Sequence, residues 1–381
     1  MGAPMAERIP AEVFPPGEVI KEELEARGWS QVELSEIMGR PPRVVSEIVS
    51  GKRAITPETA KGLGAAFGTG ATLWINLEGT YRLSKTAHDD EAVEKRARLY
   101  AKAPVKEMIK RRWIRASDNV SVLEAQVADF LEISDIRDEP SCALAARKGA
   151  AQSDLSGAQW AWFFRVRQIA KSISVPRYSE NALQGSLARL KTLLLDAEEA
   201  RHVPRILMEC GIRFVIVERL ANADIDGVCF WLDDQSPVIG MSTRRDKIDN
   251  FWFVLRHEIE HVLRKHGQAR EIIDTDLERD RASTGESLPE EEKVANAAAA
   301  EFCVPREKLE SFMRRKHPFY YERDVVAFAR LLNRHPGLVV GQMQHRLKRY
   351  DYLTKRLVKI RQFVLPGAIV DGWGQEAPVS I

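Results

Sequence analysis

Apolar positions in the first part of the chain recur at the three- and four-residue spacing of short amphipathic helices, with Gly, Ser and Pro between them. Ser30 is followed three residues later by Glu33, which is the spacing of a capping box. The next turns carry one apolar stripe, formed by Leu34, Ile37 and Met38. Gly39 is expected to end this helix, and a second helix over 43–49 follows a short turn. The pattern predicts a compact all-helical unit.

The period of the pattern changes further along the chain. Residues 120–205 keep helical spacing and contain the aromatic-rich run 160–164, which we expect to pack in a core, with a partner-docking surface as the alternative. Between 211 and 241, short β-branched or aromatic runs predict strands in IRFVIVERL, GVCFWL and PVIGMS. Helical spacing returns from about 246 to 265, and the charged stretch 267–291 predicts a surface loop.

Length and pattern together predict an α+β fold that is mostly helical, with one small sheet. At 381 residues the chain is too long for one ordinary core. The predicted regions are an N-terminal all-α domain, a helical middle region, a domain with the sheet, and a C-terminal extension, at 1–87, 88–205, 206–345 and 346–381. Within the middle region, 88–115 is rich in Lys and Arg and is broken by Pro104. It predicts a linker helix or pair, with a phosphate-contacting face as the alternative.

Composition and charge are those of an ordinary soluble protein, with 44% hydrophobic and 29% charged residues and a net charge of +2. The first residues form a Pro-rich arm without the apolar segment of a secretion signal, and Ala6 stands where a myristoylation signal needs Ser or Thr. No stretch approaches the roughly 18 apolar residues of a membrane span. The four cysteines, at 142, 210, 229 and 303, form no CxxC pair. We expect a cytoplasmic protein with no membrane partner and no cysteine-based zinc site.

The two short N-terminal helices have the arrangement that places a second helix in the major groove of DNA. The module is not basic overall, but positive residues outnumber Glu47 and Glu58 between positions 40 and 61. These positive residues are Arg40, Arg43, Lys52, Arg53 and Lys61. They lie where phosphate contacts are expected. A helical bundle used only for protein contacts is the alternative.

The run from GWSQVELSEIMG to LWINLEGTYRL resembles the XRE-type helix-turn-helix of the HigA antitoxin family, a lambda-repressor-like fold. The resemblance implies a homodimer that binds double-stranded operator DNA, and a possible toxin partner. It implies that Pro42–Val49 reads base edges. The residues expected to contact DNA are Ser30, Gln31, Arg40, Arg43, Val44, Ser46, Glu47, Lys52 and Arg53. One departure is Pro41-Pro42, in place of the small or polar residues usual at the start of that helix.

The predicted helix at 246–265 contains His257-Glu258-Ile259-Glu260-His261, an HExxH motif. At about 100° per residue, its apolar residues share roughly 120° of arc, and the two histidines lie on a different face, about 40° apart. Imidazoles one helical turn apart can bind the same metal ion. A solvated histidine pair without a metal is the alternative.

A catalytic zinc ion needs a third protein ligand and leaves its fourth position open. The helix EKVANAAAAE, which ends before Pro305, places Glu292 and Asn296 on one face, and its small Ala residues allow a close approach to a partner helix. Glu292 has the right chemistry for the third ligand, with Glu290 and Glu291 as alternatives by composition. Asn296 is placed to orient a ligating histidine. The other interpretation is a capped, Ala-rich packing helix.

The segments DGVCFWL, PVIGMS, NFWFVLRHEIEHVL, EKVANAAAAEFCVP and HPGLVVGQMQH, from about 210 to 345, resemble the ImmA/IrrE family of metallopeptidases. The resemblance implies a zincin-like fold and a catalytic base at Glu258. It assigns the Zn²⁺ ligands to His257, His261 and Glu292. Family members commonly carry a small residue where Glu260 stands, and a Phe near Ala298.

Two functions are consistent with these features. The first is a zinc-dependent regulatory endopeptidase, gluzincin-like, that cleaves a repressor or antitoxin-type protein and so controls a stress, phage-defence or mobile-element operon. Its substrate is expected to add as a strand beside GVCFWL. Oxyanion donors stay unassigned among His317, Tyr320, Tyr321 and His335. The second is a HigA-like DNA-binding antitoxin or transcriptional regulator that acts by binding, with the peptidase domain as sensor or scaffold.

Overall fold

The structure, a computed structural model, describes residues 13–85, 90–140, 145–146, 155–268, 272–275 and 289–378. Most of the predicted N-terminal arm and of the predicted loop at 267–291 lie outside these residues, as does Cys142. The chain divides into two compact units, Met1–Glu91 and Ala92–Ile381. The finer borders drawn from the sequence stay predictions.

The first unit is all-helical. Its helices are α1 (Pro16–Arg27), α2 (Gln31–Ile37), α3 (Pro42–Val49), α4 (Pro57–Phe67) and α5 (Ala71–Lys85). The capping box at Ser30 is confirmed, because Ser30 Oγ accepts from the Glu33 amide at 3.2 Å and Glu33 Oε2 accepts from the Ser30 amide at 2.7 Å. Gly39 follows the end of α2 with a φ of 60°, a conformation in which glycine is favoured.

One apolar core holds the first unit together. Its fully or nearly fully buried members include Ile20, Leu34, Val45, Phe67 and Trp74. The predicted stripe on α2 is wrong at Ile37, whose exposed fraction is 50%. Helix α2 is only two turns long and buries Leu34 and Ser35, so Ile37 falls on its outer side.

The second unit combines helices with a sheet. Its helices are α6 (Asp90–Lys102), α7 (Val105–Lys110), α8 (Val120–Phe130), α9 (Gly157–Ser172), α10 (Glu180–Thr192), α11 (Val203–Glu209), α12 (Ile248–Leu263), α13 (Glu290–Cys303), α14 (Arg306–Lys316), α15 (Glu322–Leu331), α16 (Pro336–Leu347) and α17 (Arg361–Val364). Its strands are β1 (Ala145–Ala146), β2 (Arg213–Val217), β3 (Ile225–Trp231), β4 (Pro237–Met241), β5 (Ile272–Thr275) and β6 (Ile369–Asp371). Within the described residues, no helix has the length and apolar character needed to cross a bilayer.

The strands form one mixed sheet in the order β1-β5-β3-β4-β2-β6. Strand β3 runs antiparallel to both β4 and β5, and the remaining pairs are parallel. The three strands predicted between 211 and 241 are confirmed. Two expectations are wrong. Strand β5 lies inside the segment that was predicted to be a loop. It was missed because it has only four residues and charged residues flank it, so its sequence pattern indicates a strand only weakly. GVCFWL offers no free edge, because β3 is paired on both sides.

Helices cover both faces of the sheet. On one face, Trp162, Phe163 and Phe164 of α9 are buried against β2 and β3, which confirms the prediction that the aromatic run packs in a core. On the other face, Phe214 and Ile216 of β2 pack in a second core with α12. The fold is α+β and mostly helical, as predicted.

The basic stretch at 88–115 forms two helices, α6 and α7, that are separated at Pro104. One of its arginines has a clear structural role. The Arg111 guanidinium donates to the carbonyl oxygens of Glu218 at 2.7 Å and Arg219 at 2.8 Å. It therefore ties α7 to the loop that follows β2.

Candidate functional site

Helix α12 is buried almost all the way round. His257, Glu258 and His261 have exposed fractions of 0%. The alternative of a solvated histidine pair is therefore wrong. Helices α13 and α16 and strand β3 all pack against α12, so the face that lacks apolar residues meets other elements rather than water.

Three side chains converge inside this packing. His257 Nε2 lies 2.9 Å from His261 Nε2, and Glu292 Oε2 lies 3.3 Å from His257 Nε2. Glu292 Oε1 lies 3.6 Å from His261 Nε2. Donors bound at about 2.0–2.2 Å to a tetrahedral zinc ion are separated by roughly 3.3–3.5 Å. The donor set fits one such ion: the two carboxylate–imidazole distances lie at or just above this separation, and the two imidazole nitrogens would move apart by about 0.4 Å to hold it.

The alternatives to Glu292 are placed elsewhere. Among the described residues, the grouping of potential metal donors within 4.8 Å of one another consists of His257, His261 and Glu292. Glu290 is exposed, and its Oε2 lies 3.6 Å from Lys293 Nζ. Glu291, also on the first turn of α13, is outside the cluster.

Each histidine of the cluster contacts a second polar side chain through its other ring nitrogen. Asn296 Oδ1 lies 3.1 Å from His257 Nδ1, as expected for an orienting residue. An amide oxygen accepts, so His257 carries its proton on Nδ1 and presents the Nε2 lone pair to the cluster. His261 Nδ1 lies 3.0 Å from His266 Nδ1.

His266 is a residue that the sequence analysis missed. The signal was its position five residues after His261, just past the end of α12. The backbone oxygen of His266 accepts from Trp231 Nε1 at 3.1 Å, which fixes the residue against β3. Burial lowers the pKa of its imidazole, so the neutral ring is favoured.

The proposed base, Glu258, points toward the sheet. A Cβ at Gly227 would overlap Glu258 Oε1 and approach Val254. A larger residue at position 227 in β3 would have to displace the Glu258 carboxylate, because the carboxylate occupies the space that a Cβ would need. The sequence signal for this contact was the glycine within the strand GVCFWL.

Glu260, which departs from the family pattern, is held by two arginines. Its Oε2 accepts from Arg256 Nη2 at 2.7 Å, and its Oε1 accepts from Arg264 Nε at 2.6 Å. Burial raises the pKa of Glu260, but the two guanidinium groups outweigh burial and lower it overall. The side chain is thus kept as a carboxylate within α12.

The residues expected to contact DNA lie on α2, on α3 and on the turns that flank α3. Ser30 caps α2, and Gln31 is half-buried in its first turn. Arg40 Nη2 lies 2.5 Å from Glu58 Oε1. Val44 is half-buried and packs against the core of the first unit. Gln31, Arg40 and Val44 are therefore only partly accessible to a ligand, and the exposed Ser30 hydroxyl is engaged in the cap.

Apart from Ser30, which is exposed at the start of α2, the exposed residues of this set lie on α3 and the turn after it. They are Arg43, Ser46, Lys52 and Arg53. Glu47 connects two of them, because its carboxylate oxygens accept from Arg43 Nε at 2.8 Å and Arg53 Nε at 2.9 Å. These hydrogen bonds hold the pKa of Glu47 below its ordinary value. In the free protein, Arg43 and Arg53 are thus paired with Glu47. Exposed ion pairs of this kind are weak, so both arginines can exchange Glu47 for phosphate or base contacts.

Of the residues considered as oxyanion donors, His335 has another contact. Its Nδ1 accepts from the Gly337 amide at 3.0 Å and so caps α16. Burial lowers the pKa of His335. The backbone oxygen of Tyr320 accepts from the Tyr352 hydroxyl at 2.5 Å. No oxyanion donor follows from these contacts.

Two family models match the chain: a helix-turn-helix at 20–74 and an IrrE N-terminal-like domain at 209–348. The chain is 33% identical over 70 residues to an uncharacterized HTH-type transcriptional regulator, YddM, of Escherichia coli (strain K12), covering 18% of this chain and 74% of that protein. It is 34% identical over 79 residues to virulence-associated protein I of Dichelobacter nodosus, covering 20% and 73%.

Two solved structures are also similar to the chain. One is a putative antidote protein of a plasmid maintenance system from Nostoc punctiforme, at 34% identity and a TM-score of 0.19, covering 19% of this chain and 80% of that one. The other is an addiction module antidote protein of the HigA family from Coxiella burnetii, at 27% identity and a TM-score of 0.19, covering 28% and 99%.

Proposed function

The chain belongs to the helix-turn-helix family over 20–74 and contains an IrrE N-terminal-like peptidase-family domain over 209–348, and from this premise we propose that it is a zinc-dependent regulatory endopeptidase that binds operator DNA. The observation that carries the proposal is the buried cluster of two imidazoles and one carboxylate, together with the buried Glu258, which follows His257 directly in the HExxH motif. A site used only for packing would need neither three converging metal donors nor an additional buried carboxylate.

The chemistry follows from the side chains of the site. When bound, Zn²⁺ would polarise the scissile carbonyl and acidify the attacking water. Glu258 accepts the proton of that water on its carboxylate and passes it to the nitrogen of the leaving amine. Asn296 and His266 hold the imidazoles of His257 and His261 in the orientation that directs Nε2 toward the metal.

The substrate we propose is a repressor or antitoxin-type protein, and the DNA partner is an operator bound by a homodimer. The relative named as a transcriptional regulator supports the DNA-binding half of this proposal. The exposed positive side chains on α3 and the turn after it support it independently, because they can reach phosphates and base edges.

A second candidate is a regulator that acts by binding alone, as a HigA-like antitoxin would. The observation that favours it is that the first unit has its own core and a complete helix-turn-helix, so DNA binding does not depend on the metal site. In this case the peptidase domain would serve as sensor or scaffold, and a toxin would be the partner.

Cleavage of a candidate repressor tests the proposal. The full chain, loaded with Zn²⁺, would be incubated with helix-turn-helix repressors encoded near its gene, and products would be identified by mass spectrometry. We expect two fragments from one repressor, and none when a chelator removes the metal. Intact repressors in both samples, with specific operator binding preserved, would favour the second candidate.

A further inference from the structure

A cavity of about 430 Å³ lies between α10, α12 and α13. Leu187, Ala298 and Phe302 form apolar walls, and Lys191 and Glu301 bring charges to it. No member of the metal cluster lines this cavity, so it is a separate site. The cavity is open to solvent, and its combination of apolar walls with a few charged groups is typical of a small-molecule site.

Arg256 contributes an incompletely paired guanidinium to the cavity. Its exposed fraction is 8%, and its Nη2 donates to Glu260. Its Nε and Nη1 are buried and have no hydrogen-bond partner among the described residues. Its Cζ lies 5.8 Å from the centre of the Phe302 ring, so the cation sits at the wall that Phe302 forms. Buried donors of this kind are rarely left unpaired without a ligand or a functional reason.

Nearby carboxylates are already engaged. Glu260 accepts from both Arg256 and Arg264, and Glu301 Oε2 accepts from the Arg306 amide at 2.8 Å. Lys191 lines the cavity as an exposed cation. The lining thus carries two cations, Arg256 and Lys191, and one carboxylate, Glu301, whose Oε2 is already occupied by a backbone amide.

Two residues define this place. Ala298 lines the cavity, and its small side chain keeps the space open, because a phenyl ring at position 298 would project into it. The Glu260 carboxylate accepts from Arg256 and so fixes the position of the cation.

We propose that this cavity binds a small organic anion, namely a carboxylate or phosphate ester that carries an apolar group. The planar guanidinium of Arg256 matches the oxygens of such an anion, and Lys191 adds a second positive charge. Leu187, Ala298 and Phe302 would contact the apolar group. The volume falls within the range of about 300–1,000 Å³ that is usual for small-molecule sites.

Occupancy of the cavity would be linked to the metal site. Helix α12 supplies Arg256 to the cavity and His257 and His261 to the cluster, while α13 supplies Ala298 to the cavity and Glu292 to the cluster. A ligand that changes the spacing between α12 and α13 would therefore change the distances between the metal donors. Linkage is reciprocal, so the metal must change ligand affinity by the same factor as the ligand changes metal affinity. The linkage to the metal rests on the proposed function, whereas binding of the anion to the cavity does not.

Four minimal probes test the binding, with the full chain and calorimetry. Benzoate and phenyl phosphate carry both an anion and a ring, benzyl alcohol lacks the charge, and inorganic phosphate lacks the ring. We expect saturable binding of benzoate or phenyl phosphate, and roughly tenfold weaker binding of the other two. The preferred anion distinguishes a carboxylate ligand from a phosphate ester. Binding of neither aromatic anion, or equal binding of benzyl alcohol, would overturn the proposal.

Variants locate the binding. Ala298→Phe fills the cavity and should abolish probe binding, whereas Ala297→Phe, on the exposed side of α13, should leave it within about twofold of wild type. Lys191→Gln, at an exposed position, should weaken binding about two- to fivefold without affecting folding. Wild-type binding by both Ala298→Phe and Lys191→Gln would contradict the assigned site. Equal probe affinity with and without Zn²⁺ would contradict the linkage.

Discussion

His257 and Glu292 each supply one of three donors to a cluster that, among the described residues, has no spare carboxylate or imidazole. Purified protein should contain close to one zinc ion per chain, and His257→Ala or Glu292→Gln should lose most of it, because two donors hold the ion poorly. Elemental analysis measures this content. Glu290→Gln, on the exposed side of the same helix, is the control and should keep the metal. Full zinc occupancy in both ligand variants would mean that the ion is bound elsewhere.

His266 should matter for metal binding although it donates no metal bond in the proposed site. Its contact with His261 Nδ1 fixes the ring that presents Nε2, and loss of such a contact typically lowers metal affinity about 10- to 100-fold. His266→Ala tests this by competition with a chromophoric chelator, and His202→Ala, at an exposed histidine, is the control. A purely structural role would lower the unfolding temperature of the metal-free protein and leave zinc affinity unchanged, which would contradict the prediction.

At the scale of elements, α12 shows what sequence periodicity can and cannot establish. The spacing of His257 and His261 predicted their convergence, and the Ala-rich face of α13 predicted a close partner that brings Glu292. Periodicity could not show that α12 is buried on nearly every side, because the elements that cover it come from distant parts of the sequence. Gly227 was missed for the same reason, since it contacts Glu258 only through tertiary packing. His266 is near His261 in the sequence, but it lies in the turn after α12, where helical spacing no longer predicts which side chains meet.

Helix α16 should respond to pH through its cap. Burial lowers the pKa of His335 below its ordinary 6.5, with Asp196 opposing and Arg356 adding to the shift. The folded state thus favours the neutral ring, so this stabilisation is complete above the unfolded pKa and is lost as pH falls through the folded pKa. His335→Asn keeps a cap acceptor but does not titrate. From about pH 7.5 to pH 5, the melting temperature should fall more in the wild type than in this variant; equal decreases would contradict the prediction.

Helix α3 should read DNA sequence, and the turn after it should bind phosphate. Arg43→Ala should reduce discrimination between operators, by about 1–3 kcal/mol at a contacted base pair. Lys52→Ala should weaken binding to all sequences and flatten the salt dependence. Gel shifts with the full chain at several salt concentrations measure both effects, and Lys85→Ala on α5 controls for the loss of one charge. Absence of any preference for an operator over random DNA would favour a protein-contact role for this module.

At the scale of the molecule, the sequence was sufficient for the fold class, for both family modules and for the side chains that form the cluster. It was not sufficient for the sheet. Strand β5 has four residues and pairs with β3, and strand β6 has three residues and pairs with β2. The local sequence pattern does not predict these pairings. That pairing also removes GVCFWL as an edge for substrate, so the described edge strands are β1 and β6.

The two candidate functions differ in one requirement, which is a proton acceptor beside the metal. A protein that regulates by binding alone needs the helix-turn-helix and an intact fold. A regulatory endopeptidase also needs the Glu258 carboxylate, which lies buried at the contact between α12 and β3.

Glu258→Gln separates these functions most directly. Because Glu258 is not one of the three clustered donors, the variant should keep zinc, fold and DNA binding, while peptide cleavage falls by a factor of about 10²–10⁴. Wild type, Glu258→Gln and the Glu290→Gln control would be expressed at equal levels, and the length of the target repressor and transcription of its operon would be followed under the inducing signal. We predict an intact repressor and a silent operon for Glu258→Gln alone. Normal cleavage and induction by Glu258→Gln would contradict the proposed peptidase function.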